Sequence, residues 1–100
     1  MVIASEYQCR FHEQPDLQSI HKLIHAFLNE DSIIRERRGK PYDLRSLVQE
    51  LAYRENPEPG LFMRLTTLPG ATGRPEELLD ALGIDLYAVQ VNRVGLVFAS

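Results

Sequence analysis

The first part of the chain alternates between apolar and polar residues and then changes to a helical period. Residues 4–12 alternate, which predicts a β-strand whose buried side includes Cys9, because successive side chains of a strand point to opposite faces. From residue 17 onward the apolar spacing changes to three and four residues, as in an amphipathic helix. This helix should begin after Asp16, which favours the positive end of a helix, and should end near Asn29.

Turn signals in the middle of the chain predict two hairpins. Gly39 separates two short segments within residues 32–44, and a glycine there supplies a tight turn. Asp43 could cap a single helical turn that follows. The proline-rich cluster at residues 56–60 separates an alternating segment around Leu51 from another at residues 61–66, which predicts the second hairpin.

The last third of the chain predicts a loop, a helix and a strand. Residues 68–74 should form a flexible loop that leads into a helix starting at Pro75, and Gly83 is placed to end that helix. Residues 85–98 then form one long or broken strand. A bulge or turn is expected within it, at residues 92–93 or at Gly95.

Without the first hairpin, the predicted order is β-α-β-β-α-β, which is typical of a ferredoxin-like split βαβ arrangement. We therefore expect a single α+β domain over residues 1–100. It should have an antiparallel sheet, two helices on one face and an extra basic β-hairpin after the first helix. The other face of the sheet, open to solvent or to a partner, would carry Gln8, Arg10, Phe62, Arg64 and Thr66.

The composition of the chain predicts where in the cell the domain is located. With 100 residues, 44% hydrophobic and 25% charged, the chain resembles an ordinary soluble globular domain. Its single cysteine excludes an internal disulfide framework and favours a reducing compartment. No apolar run approaches the roughly 20 residues that cross a bilayer, and the amino terminus lacks the pattern of a signal peptide. We expect a cytoplasmic domain with no membrane partner.

Positive charge is concentrated in one window of an acidic chain. The net charge is −3, from 11 basic and 14 acidic residues. Residues 35–45 sum to +3, so the remaining residues sum to −6. Such a window is typical either of an anion-binding surface or of a solvated hairpin tip whose charges keep the strand edge unpaired. Its basic members are Arg35, Arg37, Arg38, Lys40 and Arg45.

The loop before the second helix is another candidate anion site. Backbone amides of this loop, which includes Gly73, together with Thr72 and Arg74, could hold a phosphate or a carboxylate at the helix start. The loop lacks the lysine and the spacing of a P-loop. The alternative is a plain strand-to-helix connection in which the glycines permit tight turns.

Evidence for a metal or catalytic site is weak. His21 and His25 lie one helical turn apart, but zinc needs three or four ligands and no third one stands out. Cys9 belongs to a buried strand face, where a thiol behaves as a small apolar group. No serine lies in a nucleophile-elbow pattern. We therefore expect neither catalytic residues nor a metal site.

Several short segments, taken together, are similar to a known family. They are SEY at residues 5–7, RERRGK at 35–40 with DLRSLV at 43–48, TGRPEELLDALG at 72–83 and VNRVGL at 91–96. In this order and spacing they resemble the carboxy-terminal half of an uncharacterised radical-SAM-linked domain family, a domain of unknown function. The similarity covers nearly the whole chain.

The resemblance implies a role beside a larger protein. This chain would be the carboxy-terminal segment of a radical-SAM-linked protein, with a radical SAM domain as its partner in cis or in trans. That partner would hold the iron–sulfur cluster and S-adenosylmethionine, because one cysteine cannot ligate the cluster. The family offers no catalytic residues to transfer, so the segment by itself is expected not to be an enzyme.

These observations lead to two functional hypotheses. The first is a non-catalytic accessory module that recognises an anionic substrate, with RNA favoured. Arg35 and Arg37 share a strand face and would contact phosphates, while Phe62 would stack on a base. The alternative is a protein–protein docking or dimerisation module for the radical SAM core, with the basic hairpin against an acidic partner surface.

Overall fold

The computed structural model covers residues 1–100 and has an α+β fold with two α-helices and an antiparallel sheet. The predicted α+β class, with two helices and an antiparallel sheet, is therefore confirmed. In chain order the elements are β1 (Val2–Phe11), α1 (Leu17–Leu28), β2 (Ile34–Arg37), β3 (Lys40–Asp43), β4 (Val48–Arg54), β5 (Gly60–Leu68), β6 (Ala71–Thr72), α2 (Pro75–Leu82) and β7 (Val89–Phe98). Short 3₁₀ turns precede β4 and β7, at Arg45–Leu47 and Leu86–Ala88.

The main sheet has β1 and β5 at its centre and β4 and β7 at its edges. Its strand order is β4-β5-β1-β7, the two-residue strand β6 pairs with β5, and every pair is antiparallel. Strands β2 and β3 form the separate basic hairpin. In β7, Arg93 pairs with Tyr7 and Gly95 pairs with Glu6, so Val94 is one extra residue. A bulge was predicted at residues 92–93 or at Gly95, and the structure has it between them, at Val94.

The helices begin and end as their sequences predict. The Asp16 side chain caps α1 by accepting hydrogen bonds from the Gln18 amide at 3.2 Å and the Ser19 hydroxyl at 2.8 Å. Helix α2 starts at Pro75 and ends at Gly83, whose φ of 76° suits a residue without a Cβ. Neither helix is both long enough and apolar enough to cross a membrane.

The hydrophobic core lies between the helices and one face of the sheet. Leu61, Met63 and Leu65 of β5 are fully buried and belong to one apolar cluster with residues of both helices. Cys9 belongs to the same cluster, as its place on the alternating strand predicts. Both helices therefore cover the same face of the sheet, and the opposite face carries the polar residues of β1 and β5.

Two segments differ from the predictions. The loop at residues 68–74 contains the short strand β6, because Thr72 pairs with Thr67 of β5. The last strand begins at Val89, since residues just before it form a 3₁₀ turn. Asp85 stabilises that turn by accepting a hydrogen bond from the Tyr87 amide at 2.9 Å, and such local side-chain bonds compete with strand pairing.

Candidate functional site

Two arginines of the basic hairpin are bound to α2 and do not point freely into solvent. Arg35 Nη2 lies 2.5 Å from Asp80 Oδ2. Arg37 donates hydrogen bonds to both carboxylate oxygens of Glu77, the bidentate arrangement that gives arginine–carboxylate pairs their geometric specificity. These two ion pairs, Arg35–Asp80 and Arg37–Glu77, are called the hairpin clasp below.

The Arg37–Glu77 pair is the better sheltered half of the hairpin clasp. The guanidinium of Arg37 also donates to the Thr72 carbonyl at 3.1 Å and lies 4.4 Å from the centroid of the Tyr42 ring. The hydrogen bonds from Arg37 lower the pKa of Glu77, and the charge of Arg74 acts in the same direction. Arg37 therefore serves the internal structure, and its charge is neutralised within the domain.

We expect the hairpin clasp to make stability depend on acid pH. Because the pKa of Glu77 is lowered on folding, its contribution is complete above the unfolded value of about 4.3 and is lost as the pH falls through the folded value. Glu77→Gln should remove this part of the pH dependence. Urea unfolding at neutral and acid pH measures it, with Glu76→Gln on the exposed side of α2 as control. If the free energy of unfolding of Glu77→Gln depends on pH as that of the wild type does, the Arg37–Glu77 pair is not the source of the dependence.

The remaining basic residues of the window separate into one structural arginine and two free cations. Arg45 donates to the carbonyls of Val48 at 3.2 Å and Leu28 at 3.5 Å, and so connects the end of α1 to the start of β4. Arg38 and Lys40 flank the hairpin turn, where both are exposed and neither makes a salt bridge. Only these two members of the predicted cationic window are available to an external anion.

The predicted anion site before α2 is largely occupied by internal contacts. The Gly73 amide donates to the Thr66 carbonyl at 2.8 Å, and the Thr72 hydroxyl donates to the Leu68 carbonyl at 3.1 Å. Arg74 is exposed, while the carboxylate of Glu77 lies in the first turn, where a helix favours negative charge. The loop therefore acts as a connection, with Arg74 as its one outward cation.

The open face of the sheet carries a ladder of alternating charges. Arg64 contacts Glu6 at 2.6 Å and Glu50 at 3.2 Å, and Glu50 contacts Arg54 at 2.5 Å. These four residues sit on the three adjacent strands β1, β5 and β4. Two acids and two bases cancel, so Arg64 presents no net positive charge to a phosphate.

Phe62 is not exposed on this face as the sequence prediction required. Phe62 lies on the predicted face of the sheet, where it pairs with Gln8 and Ala52. However, the residue is only 5% exposed. The guanidinium of Arg54 lies 3.7 Å from the centroid of the ring. The long arginine side chain therefore covers the surface on which a base would stack. The expectation that Phe62 is open to solvent is wrong, and its stacking role stays a prediction.

The outer edge of β7 is the surface feature that the sequence prediction missed. Val94, Leu96 and Phe98 are 58%, 41% and 61% exposed, and they define what is called the apolar edge below. Strand β7 is ten residues long and pairs only with β1, so its other side presents unpaired backbone groups. Long apolar edge strands are the ones that pair with other chains.

A signal for the apolar edge was present in the sequence. Residues 86–100 contain a single charged residue, Arg93, whereas natural edge strands are commonly protected by charges. The other edge, β4, follows that rule because it carries Glu50 and Arg54. The sequence shows this difference in charge between the two strands, but only the strand order identifies them as the outer strands of the sheet.

The residues with catalytic or metal-binding chemistry do not converge. Burial raises the pKa of the Cys9 thiol to about 12, so it is not a ready nucleophile. His21 and His25 are exposed on α1, and His21 meets the ring of Tyr53 edge-on. No three or more His, Cys, Asp or Glu side chains are grouped in a way that could hold a metal ion.

One pocket of about 330 Å³ lies between the start of α1 and the β4–β5 turn. Its lining includes the cation Arg10 and the carboxylates Glu55 and Glu58, beside Tyr53. Arg10 donates to Gln90 at 2.6 Å. The pocket therefore has charges of both signs and selects no single class of ligand.

Comparison with known proteins gives no relative from which a function could be transferred, so the function is argued from the geometry of the domain. No protein-family model matches the chain, and neither a curated protein nor a solved structure matches it at a significant level.

Proposed function

We propose that this chain is a non-catalytic docking domain that binds another protein chain along the outer edge of β7. The observation that carries the proposal is the apolar edge, where Val94, Leu96 and Phe98 are exposed beside unpaired backbone groups. A strand added to such an edge gains main-chain hydrogen bonds, and alternate side chains supply specificity. Docking therefore explains why an otherwise well-protected sheet leaves one edge apolar.

The distribution of charge favours docking over recognition of RNA. Arg35, Arg37 and Arg64 are paired with acidic residues of the domain itself, and Phe62 is covered. Affinity for nucleic acid grows with the number of phosphates that basic residues neutralise. Of the cations predicted to contact an anion, only Arg38, Lys40 and Arg74 are exposed and make no salt bridge.

Recognition of an anionic ligand, with RNA favoured, is the second candidate. The observation that supports it is the pair of unpaired, exposed cations Arg38 and Lys40 at the hairpin turn. Arg74 is a third exposed cation without a salt bridge. This candidate uses the hairpin tip and leaves the apolar edge unexplained.

We also propose a ferredoxin-like split βαβ topology and a radical SAM partner. Helix α1 lies in the connection from β1 to β4, and β5 lies between these two strands in the sheet. Helix α2 lies in the connection from β5 to β7, and β1 lies between those two strands. Both features support the split arrangement. The family resemblance supports a radical SAM domain, in cis or in trans, as the docked protein. The iron–sulfur cluster and S-adenosylmethionine would then belong to that partner, in a cytoplasmic setting.

Leu96→Lys should weaken docking at least about tenfold, because a lysine on an edge strand disfavours pairing with another strand and because the apolar contact between Leu96 and the added strand is lost. The measurement is biolayer interferometry with the radical SAM protein fused to or encoded beside this chain as the probe. Leu23→Lys on α1 is the matched control, since Leu23 is as exposed as Leu96 and lies away from β7. Wild-type affinity in Leu96→Lys would rule out docking at β7.

Short single-stranded and hairpin RNAs should bind only weakly. With few free cations, we expect dissociation constants near the non-specific range of about 10⁻⁴ M, with binding lost at physiological salt. Amide chemical-shift titration at low and moderate salt measures it. Tight, salt-resistant binding that disappears in the double variant Arg38→Glu, Lys40→Glu would favour the anion-binding candidate instead.

A further inference from the structure

We infer that the hairpin clasp is an autoinhibitory contact that masks a phosphate-binding arm. The arm is the hairpin β2–β3, and its ligand is the phosphate backbone of a single-stranded RNA. While the clasp is closed, only Arg38 and Lys40 of the arm are free; once it opens, the two clasp arginines join them. This inference is separate from docking at β7. It rests on the second candidate function and adds how that function is regulated.

The outer half of the hairpin is attached to the domain through its side chains. Strands β2 and β3 pair with each other and with no strand of the main sheet. Near the base, Ile33 and Tyr42 pack against the core, and Asp43 accepts a hydrogen bond from the Ile33 amide at 2.9 Å. Beyond the base, the clasp and the bond from Arg37 to the Thr72 carbonyl hold the hairpin in place. Loss of these contacts frees the outer half and leaves the base where it is.

The clasp joins segments of opposite charge and is open to competition. Residues 34–43 carry a net charge of +2, and residues 75–82 carry −3. The side chain of Asp80 is 73% exposed, and exposed ion pairs are screened by salt and contribute little stability. A phosphate offers an arginine the same bidentate geometry as a carboxylate. The phosphates of a ligand can therefore replace the carboxylates of α2, while the closed clasp keeps the affinity of the free domain low.

The backbone of the hairpin turn supports a functional role for Arg38. Its φ is 55° and that of Gly39 is 77°, the pair of positive values for which Asn–Gly is the preferred sequence. A positive φ strains an arginine because its Cβ meets the backbone, and strain of this kind is concentrated at functional sites. The side chain of Arg38 is exposed and makes no salt bridge. Arginine at this position therefore adds a cation to the arm at some cost to the turn.

A double variant that opens the clasp, Glu77→Gln with Asp80→Asn, tests the inference. We expect it to bind a short single-stranded RNA at least about tenfold more tightly than the wild type at low salt, because two more cations reach phosphates. The slope of log affinity against log salt should also become steeper by about 1.4, at about 0.7 for each added phosphate contact. Fluorescence anisotropy of an end-labelled RNA over a series of salt concentrations measures both.

The matched control is Glu36→Gln with Glu76→Gln. It removes one exposed carboxylate from the hairpin and one from α2 without touching the clasp, so its affinity and salt slope should stay near those of the wild type. An equal gain in this control would show that the loss of negative charge attracts the RNA, and would overturn the inference. An unchanged affinity in the clasp variant would overturn it as well.

Titration of the wild type with the same RNA at low salt gives a second test that needs no variant. The amide signals of Glu77 and Asp80 should shift together with those of the hairpin, because the ligand displaces their carboxylates from the arginines. Shifts confined to Arg38 and Lys40 would mean that the clasp stays closed and would overturn the inference. Leu96→Lys should leave RNA affinity unchanged, so failure of the masked arm and failure of docking at β7 are distinguishable.

Discussion

Leu65→Ala should destabilise the domain by about 3–4 kcal/mol, within the range for buried leucines. Leu65 is fully buried on the central strand β5 and belongs to the core between sheet and helices. The Gly73 backbone packs against it so closely that a Cβ there would lie 3.0 Å from Leu65 Cβ. Leu65 belongs to a cluster of 14 buried residues, so its truncation should leave a cavity that the packed neighbours fill only in part.

Urea unfolding followed by circular dichroism measures this loss against a total stability of about 5–15 kcal/mol for a domain of this kind. Leu68→Ala is the control, since Leu68 lies on the same strand and is partly exposed. Its loss should stay below about 1 kcal/mol. Equal effects of the two substitutions would mean that the core does not lie on the face described.

Gly60→Ala should cost about 2–3 kcal/mol, at the upper end for adding one methyl group to a packed site. A Cβ at Gly60 would lie 2.6 Å from the Cys9 carbonyl oxygen. That oxygen belongs to the backbone of β1, which is held between β5 and β7 and cannot move aside cheaply. The first residue of β5 therefore has to be a glycine.

Gly95→Ala separates this backbone clash from a side-chain clash. A Cβ at Gly95 would also meet an atom at 2.6 Å, but that atom is Glu6 Oε1, the end of a flexible side chain. Rotation of Glu6 should relieve the contact, so the loss in the free energy of unfolding should be clearly smaller than for Gly60→Ala. If Gly95→Ala lowers the free energy of unfolding as much as Gly60→Ala does, the distance to the nearest atom sets the cost. It would then not matter whether that atom belongs to the backbone or to a side chain.

Local features of the fold were predictable because their causes are local. Asp16 caps α1 and Gly83 ends α2, as expected from residues next to the helix ends. The alternation at residues 61–66 assigned each side chain of β5 to the correct face. Such patterns depend on neighbours within a few positions, which the sequence displays directly.

The candidate site was less predictable because it depends on distant partners. Arg37 and Glu77 are 40 residues apart in the chain, and Arg64 and Glu6 are 58 apart. The sequence shows that these arginines exist but not that acidic side chains neutralise them. The burial of Phe62 was not predictable for the same reason, since the Arg54 side chain that covers it lies on a neighbouring strand.

The apolar edge became visible only when the strand order was known. Val94, Leu96 and Phe98 read as ordinary strand residues until β7 is placed at the outside of the sheet. Their exposure then indicates a different role. A buried row of apolar side chains stabilises a fold, whereas an exposed row on an edge strand favours pairing with another chain.

Amide hydrogen exchange of β7 tests docking at this edge most directly. The measurement compares the free domain with the domain saturated by the docking partner proposed above. We predict that alternate amides of residues 94–98 become slower to exchange in the bound state, while the charged edge β4 is unchanged. Protection that appears instead at Arg38 and Lys40 of the hairpin tip, with β7 unchanged, would contradict the account.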